Sequence, residues 1–493
     1  MTELAEFDTL VSGPAPPADI VTAPRAKLGF GTLAFYGAGA LVENATTPVL
    51  ALLLFYLSAL CGLSAPEAGL IAGLTLVVDA CCDPLVGSIS DNSRSRHGRR
   101  HPFMLLALVP IALAIGLLFS APAGLSGGAL FVFALVILFA ARIALSFFIV
   151  PYTGLGAELS DDYAERSTIV ASRVVFSLAV GLVMAILSSV VFLGGPHGQY
   201  YRPGYTGLAW CAAAIALVGG LVSTLGTLGA RGRLHQAPTD QRRSLADFPV
   251  ELVECFRNRS FRWLFITCWI FFVSAGVAGA LTLYANSYFW HLFGRQLLPL
   301  GLVALPGGLF GVFVAGAIAR RVEKRTAAMI GLGLIAAGQG LPVTLRLTGL
   351  IPLSAGIVVL CVATAVAICG SAIALIGFQS MMADAADEHE HMFFARREGL
   401  YFAGITTSAK ASSGIGAFIA GIALKLIGFP AGSAAAGAAA HIPPDTIRNL
   451  GLVYGPGAAI CTIIAICILF GYRLDRAGHA RIRGELDQRR AAT

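Results

Sequence analysis

Long apolar segments constrain the fold of this chain more than any other feature of its sequence. A stretch of about 18 or more apolar residues can cross a bilayer as a helix. Twelve such stretches occur, at roughly residues 28–60, 65–90, 103–121, 127–157, 167–194, 206–229, 261–291, 297–319, 326–345, 352–383, 398–428 and 450–472. Only 12% of the 493 residues are charged, whereas soluble chains carry about a quarter. We therefore predict an all-α integral membrane protein with twelve transmembrane helices.

Basic residues are concentrated in alternate loops. Of the 34 Lys and Arg, the loops on one side hold only four, which are Arg202, Arg295, Arg346 and Arg448. Because cytoplasmic loops carry the excess of Lys and Arg, we expect both termini in the cytoplasm of a bacterial cell, with the protein in its inner membrane. The net charge of +7 then orients the chain in the bilayer and does not indicate a nucleic-acid partner. Residues 1–25 lack a cationic start and a short apolar core, so they predict a cytoplasmic tail and not a signal peptide.

The longest basic loop divides the chain into two halves of six spans. We predict an N-terminal tail at 1–27, a six-helix bundle at 28–229, a cytoplasmic linker at 230–260, a second bundle at 261–472 and a C-terminal tail at 473–493. A weak repeat supports the division, because each half has two acids three residues apart and then arginine. The acids are Glu158 and Asp161 before Arg166, and Asp384 and Asp387 before Arg396 and Arg397. Two such halves are typical of the major facilitator fold.

Six charged residues lie well inside the predicted spans. Each costs about 2.5–3.5 kcal/mol on insertion scales, so such residues face an aqueous cavity or one another. Three acids balance three bases: Glu43, Asp79, Asp83, Arg142, Arg173 and Lys410. We expect these side chains to form the functional centre of the protein.

Asp79 and Asp83 give the sharpest signal. Four residues apart on one helix, they share a face, and two like charges so close together favour binding of a proton or a metal cation. The alternative is a structural partnership with Arg142, Arg173 or Lys410. We predict a coupling-cation site.

The other buried charges leave alternatives open. Glu43 either accepts hydrogen bonds from substrate hydroxyls or pairs with Arg173. Arg142 either holds a substrate carboxylate or phosphate in a bidentate manner or neutralises the two aspartates.

Two further patterns predict no metal centre. The run from Asp387 to His391 alternates acids and histidines without the i,i+4 histidine spacing of a helical zinc site, so we expect a solvated cytoplasmic loop. The ten cysteines are scattered, and their spacing indicates neither disulfides nor zinc.

Three sequence blocks occur in order along both halves. They are Asp79-x3-Asp83-Pro84-x2-Gly87-x3-Asp91-x4-Arg96-x-Gly98-Arg99-Arg100-x-Pro102, then Pro151-Tyr152-x5-Glu158-Leu159-x-Asp161-x3-Glu165-Arg166-x6-Arg173, and Met382-Ala383-Asp384-x2-Asp387 followed by Arg396-Arg397-Glu398-Gly399-x10-Lys410. Together they resemble the glycoside–pentoside–hexuronide:cation symporter family, and the resemblance covers the first eleven spans.

The resemblance implies roles for particular residues. It assigns Asp79 and Asp83 to the cation site, with the Ser146 hydroxyl near a matching threonine position and Lys410 nearby. It places Glu43 and Arg173 at substrate-binding positions. It also implies that charges of the two halves pair to gate the cytoplasmic face, and the candidates are Asp91, Arg96, Arg99, Arg100, Glu158, Asp161, Arg166, Asp384, Asp387 and Arg396.

Departures from the family pattern bear on the ion and the solute. Cys82 stands where the pattern has an asparagine that supplies an oxygen to sodium, which favours proton coupling. Ile149 and Thr153 stand where an aspartate and a tryptophan grip a galactoside, and Tyr152 is an aromatic substitute. We predict a monomeric proton-coupled symporter of a sugar, glycoside or hexuronide-like solute that needs no cofactor beyond the cation. A symporter of a lysolipid or other anionic amphiphile is the alternative, because Arg142 is absent from the pattern, and a membrane-embedded metal-dependent transferase is a distant one.

Overall fold

The fold is helical throughout the part of the chain that the structure describes. The computed structural model describes residues 28–93, 95, 98–160, 162–195, 198–229, 255–393, 398–433 and 442–492. The predicted N-terminal tail and most of the predicted linker therefore lie outside the described residues.

Twelve helices in the described residues are long and apolar enough to cross a membrane, which confirms the predicted fold class. They are α1 (Phe30–Leu60), α2 (Ala65–Asp91), α3 (His101–Leu118), α4 (Gly127–Glu158), α5 (Glu165–Phe192), α6 (Arg202–Gly226), α7 (Arg259–Phe289), α8 (Gly294–Ala319), α9 (Lys324–Leu347), α10 (Leu353–Phe393), α11 (Gly404–Leu426) and α12 (Pro444–Leu469). A thirteenth helix, α13 (Arg476–Ala492), follows in the C-terminal segment.

The cytoplasmic end of α10 differs from the sequence prediction. The run from Asp387 to His391 is helical and continues α10 to Phe393, so the prediction of a solvated loop there is wrong. The reason is that α13 packs alongside this extension and supplies partners for its charges. His479 of α13 lies 2.9 Å from Asp387, and His391 lies 2.6 Å from Glu485 of α13.

The two halves meet at the end of the bundle where α1 and α7 end. The Gln199 side chain, just before α6, donates to the Leu292 carbonyl oxygen at 3.3 Å, and the Gly432 amide donates to the Ser58 carbonyl oxygen at 2.9 Å. At the opposite end, Arg100 pairs with Glu158 and Lys324 pairs with Asp384, each within one half. These hydrogen bonds therefore join the halves at the first of the two ends.

Candidate cation and substrate site

Asp79, Asp83, Ser146 and Lys410 meet where α2, α4 and α11 pack together. The Lys410 ammonium nitrogen lies 3.0 Å from Asp79 Oδ2 and 2.5 Å from Asp83 Oδ2. The Ser146 hydroxyl oxygen lies 2.8 Å from Asp79 Oδ1 and 2.7 Å from Asp83 Oδ1. A hydroxyl carries one proton, so Ser146 donates to one carboxylate at a time. Lys410 and Ser146 together bridge the two carboxylates.

Close contact between the backbones of α2 and α11 brings Lys410 within reach of the acids. A Cβ atom on Gly73 of α2 would lie 2.6 Å from the Gly414 carbonyl oxygen of α11. Small residues at such positions let transmembrane helices approach closely. Because Gly414 lies one helical turn from Lys410, this contact places the lysine beside Asp79 and Asp83.

The two carboxylates differ in accessibility. The Asp79 side chain is only 6% exposed, whereas that of Asp83, one turn nearer to the C-terminal end of α2, is 27% exposed and that of Lys410 is 34% exposed. Asp83 is therefore the more accessible of the two acids. The charges of the cluster sum to −1 when both acids are ionised, which leaves room for one monovalent cation or proton. Among the described residues, no three His, Cys, Asp or Glu side chains gather as metal ligands.

Glu43 and Arg173 form the second charged group. An Arg173 Nη atom lies 3.3 Å from a Glu43 carboxylate oxygen, and both side chains are partly exposed, at 33% and 43%. Beneath them Tyr152 is buried, with its ring centroid 5.6 Å from the Arg173 guanidinium carbon. Its hydroxyl already donates to the Tyr36 carbonyl oxygen at 3.0 Å. In this conformation Tyr152 packs against Arg173, and its role in substrate binding stays a prediction.

Arg142 borders a cavity between the two halves. This cavity has a volume of about 260 Å³, and on α2 it is lined by Ala72 and Leu76, which precede Asp79. The polar side chains that line it are Thr47, Arg142 and Ser413, and its other walls are Leu, Ala and Gly. Arg142 Nε is buried and has no hydrogen-bond partner among the described residues. The guanidinium group is thus positioned to bind an acceptor in the cavity.

The gate candidates form two clusters, one in each half. Arg100 Nε donates to a Glu158 carboxylate oxygen at 2.9 Å, Arg99 also pairs with Glu158, and an Arg100 Nη atom lies 3.0 Å from Asp91. Arg166 Nε donates to the Ser160 carbonyl oxygen at 2.8 Å. In this conformation Arg99 and Arg100 therefore pair with an acid of their own half, and the implied pairing across the halves stays a prediction. Arg96, Asp161 and Arg396 lie outside the described residues.

In the second half, partners that sequence reasoning missed complete the cluster. Lys324 at the start of α9 lies 2.7 Å from Asp384, and His479 lies 3.4 Å from Asp384. Burial, together with the Asp384 and Glu388 carboxylates, raises the pKa of the Tyr472 phenol, which stays neutral. Sequence reasoning also missed the contact between Gly73 and Gly414, although Gly69 and Gly73 have the small-xxx-small spacing that indicates close helix packing.

Comparisons with known proteins show the family of this chain. Residues 29–476 match the family described as MFS/sugar transport protein. The chain is 24% identical to an uncharacterized symporter of Synechocystis sp., over 94% of this chain and 97% of that protein. It is also 24% identical to the isoprimeverose transporter of Lactiplantibacillus pentosus, over 89% of this chain and 87% of that transporter.

A solved structure shows the same fold. A bacterial homologue of the human lysosomal transporter Spinster, in an inward-facing and unoccupied conformation, aligns with a TM-score of 0.59 at 12% identity. The alignment covers 91% of this chain and 98% of that structure.

Proposed function

This chain belongs to the MFS/sugar transport protein family, and from that premise we propose that it is a proton-coupled symporter of an oxygen-rich organic solute. Membership makes it an integral membrane transporter and not an enzyme, so the transferase alternative falls away. We further propose that it lies in the bacterial inner membrane as a monomer, with both termini in the cytoplasm and no cofactor beyond the coupling cation. The distribution of Lys and Arg supports this orientation.

The observation that carries the proposal is the bridge of Lys410 between Asp79 and Asp83. A proton that binds to Asp83 removes one of the two charges that hold the lysine. The ammonium group then keeps only its contact with Asp79, which weakens the link between α2 and α11. Since these two helices belong to opposite halves, proton binding biases the rocking motion that alternating access requires.

Coupling follows from the same geometry. If protonation of Asp83 and binding of solute favour the same arrangement of the halves, each raises the affinity for the other by the same factor. When the site is empty and both aspartates are ionised, Lys410 pairs with both of them and stabilises the present arrangement of the halves. The solute is therefore carried together with the proton.

Two features of the site support a proton over sodium. The Lys410 ammonium already occupies the space between the carboxylates, where a metal cation would bind. In addition, Cys82 offers a soft sulfur atom beside the two acids, whereas alkali and alkaline-earth cations prefer several oxygen ligands. A proton needs a single carboxylate oxygen.

Glu43 and Arg173 support a sugar-like solute. Their side chains are partly exposed and together offer hydrogen-bond acceptors and donors that match a polyhydroxylated ring. The Arg142 cavity favours a second candidate, an anionic amphiphile, because its walls are apolar apart from two hydroxyls and one guanidinium group. A hexuronide-like solute, with hydroxyls and a carboxylate, would satisfy both groups.

The proposal is tested in proteoliposomes with an imposed pH gradient and a panel of sugars, uronides and lysolipids. Wild-type protein should accumulate one class of solute against its gradient, and the Asp79→Asn/Asp83→Asn variant should lose this accumulation. Asp445→Asn, which removes an exposed acid at the outer surface, is the matched control. Uphill uptake by the doubly substituted protein would refute the coupling site.

The two solute classes are separated by Arg142. Replacement with alanine should abolish uptake of an anionic solute, and Arg142→Lys, which keeps the charge but loses the bidentate fork, should weaken it. Unchanged uptake of an anion by both variants would remove the second candidate.

A further inference from the structure

The first helix of each half ends in the same way at the outer surface. Helix α1 closes with a π-helical turn at Tyr56–Leu60, and α7 closes with one at Ala285–Phe289. In each case the second residue after the turn has a positive φ angle. That residue is Gly62, with φ 77°, in the first half and His291, with φ 53°, in the second.

A histidine in this position is strained. The left-handed region costs a residue with a Cβ atom about 1–2 kcal/mol relative to glycine. The matching position of the first half shows that glycine serves the same turn. Glycine would adopt this backbone conformation without strain, so the presence of histidine points to a function of its side chain.

Two buried donors beside His291 lack acceptors. Arg346, at the outer end of α9, lies between two rings, with its guanidinium carbon 4.8 Å from the Phe289 centroid and 4.9 Å from the Trp290 centroid. Arg346 Nη1 and Trp290 Nε1 are both buried without a hydrogen-bond partner among the described residues. Leaving such a donor unsatisfied costs about 1–3 kcal/mol.

The polar groups beside the turn of the first half have partners. Arg202, at the start of α6, lies over the Tyr56 ring at 6.0 Å and donates to the Ala121 carbonyl oxygen at 2.5 Å. The Tyr56 hydroxyl donates to the Phe119 carbonyl oxygen at 2.9 Å. Arg346 Nη1 and Trp290 Nε1, beside the turn of the second half, have no such partner among the described residues.

A cavity of about 480 Å³ opens beside Trp290 and His291. Arg346 does not line this cavity directly, but its guanidinium carbon lies 4.9 Å from the centroid of the Trp290 ring that does. Its polar wall contains Trp290, His291, Gln296 and Ser354, and its apolar wall includes Leu353 and Ile357. No carboxylate lines it. Burial and the positive charge of Arg346 lower the pKa of His291, so its ring is neutral at neutral pH and remains available as a donor or acceptor.

We propose that Arg346, Trp290 and His291 form a binding site for a phosphate-type oxyanion at the outer surface of the second half. An oxyanion accepts several hydrogen bonds at once and pairs with arginine in charge-assisted geometry. Because Trp290 Nε1 and Arg346 Nη1 are covered in this conformation, both side chains turn towards the cavity when the oxyanion binds, and the orphaned donors are then satisfied. The same chemistry is offered by inorganic phosphate and by the headgroup of an anionic phospholipid. The apolar wall beside the donors would accommodate an acyl chain in the second case. This site lies apart from Asp79 and Asp83, and the inference does not depend on the proposed coupling mechanism.

The test measures binding of two probes to the purified full-length protein. Inorganic phosphate is titrated in neutral detergent at constant ionic strength, with the melting temperature as the readout. Phosphatidylglycerol and phosphatidylcholine are compared by native mass spectrometry. Trp290→Phe keeps the ring but removes the N–H group, and Arg346→Gln removes the charge. Arg295→Gln, in the adjacent exposed turn, is the control for non-specific charge.

We expect each of the two site variants to weaken binding at least tenfold, whereas Arg295→Gln leaves it within about twofold. If inorganic phosphate binds, a free anion is sufficient to occupy the site. If phosphatidylglycerol alone is retained, the ligand is the headgroup of an anionic lipid. If the wild-type protein binds neither probe, or if Trp290→Phe binds as tightly as the wild type, the inference is wrong.

A third variant distinguishes the site from a structural role. His291→Gly matches the first half, so it should raise the melting temperature without anion while weakening anion binding at least threefold. Stabilisation with unchanged anion binding would remove His291 from the site.

Discussion

The Lys410 ammonium nitrogen lies 2.5 Å from Asp83 Oδ2, although 327 positions separate the two residues in the chain. The pair joins α2 of the first half to α11 of the second at the depth of the membrane where Asp79 is buried. It therefore joins a carboxylate of one half directly to an ammonium group of the other.

Replacement of Lys410 alone should destabilise the protein more than replacement of Lys410 and Asp83 together. Lys410→Met leaves Asp79 and Asp83 with only the Ser146 proton between them. Removal of one partner of a fully buried pair costs about 3–5 kcal/mol, and the partial exposure of Lys410 reduces this to about 1–3 kcal/mol. Asp83→Asn/Lys410→Met should recover part of that loss. The melting temperatures of Asp83→Asn, Lys410→Met and the double variant give the interaction energy between the two side chains. Purely additive effects on the melting temperature would show that the two side chains do not stabilise each other.

Cys82→Asn should introduce a response to sodium. The amide adds a hard oxygen beside Asp79 and Asp83, and a contact between an ion and a dipole is worth about 1.5 kcal/mol, or about tenfold in affinity. Uptake measured with and without sodium at fixed pH detects the change. Cys81→Asn places the same amide one position away on an exposed part of the helix, so an equal sodium response in both variants would show that the position is irrelevant.

Glu43→Gln should impair transport without impairing stability. Its pair with Arg173 is partly exposed, and such ion pairs contribute about 0.2–1 kcal/mol. The melting temperature should therefore change little, whereas uptake should fall at least tenfold if Glu43 contacts the solute. A large fall in melting temperature together with unchanged uptake would indicate that the Glu43–Arg173 pair has only a structural role.

His291 should make the stability of the protein depend on pH. Its pKa is lowered in the folded state by burial and by Arg346, whereas an unfolded histidine has a pKa of about 6.5. Below that value the unfolded state binds more protons, so stability falls as the pH is lowered from about 7 towards 5. The difference in melting temperature between wild type and His291→Gln isolates this contribution. A difference that is constant with pH would contradict it.

Much of the site could be predicted because charges in apolar spans are rare and costly. Asp79, Asp83 and Lys410 each stood out for that reason, and the structure brings them together with Ser146. The run from Asp387 to His391 was assigned wrongly, because helix continuation depends on neighbours distant in sequence, and the end of α10 is held in helical form by α13. The packing of Tyr152 against Arg173 and Tyr36 could not be predicted for the same reason.

The sequence by itself determined that the chain crosses a membrane twelve times in two related halves, since the length of an apolar run and the spacing of charges are local properties. Only the tertiary structure decided which charges meet. Close packing of Gly73 on Gly414 places Lys410 beside two aspartates. The packing of Arg346 against the Phe289 and Trp290 rings accompanies two buried donors, Arg346 Nη1 and Trp290 Nε1, that have no acceptor among the described residues. Both outcomes depend on distances between helices, which no local pattern encodes.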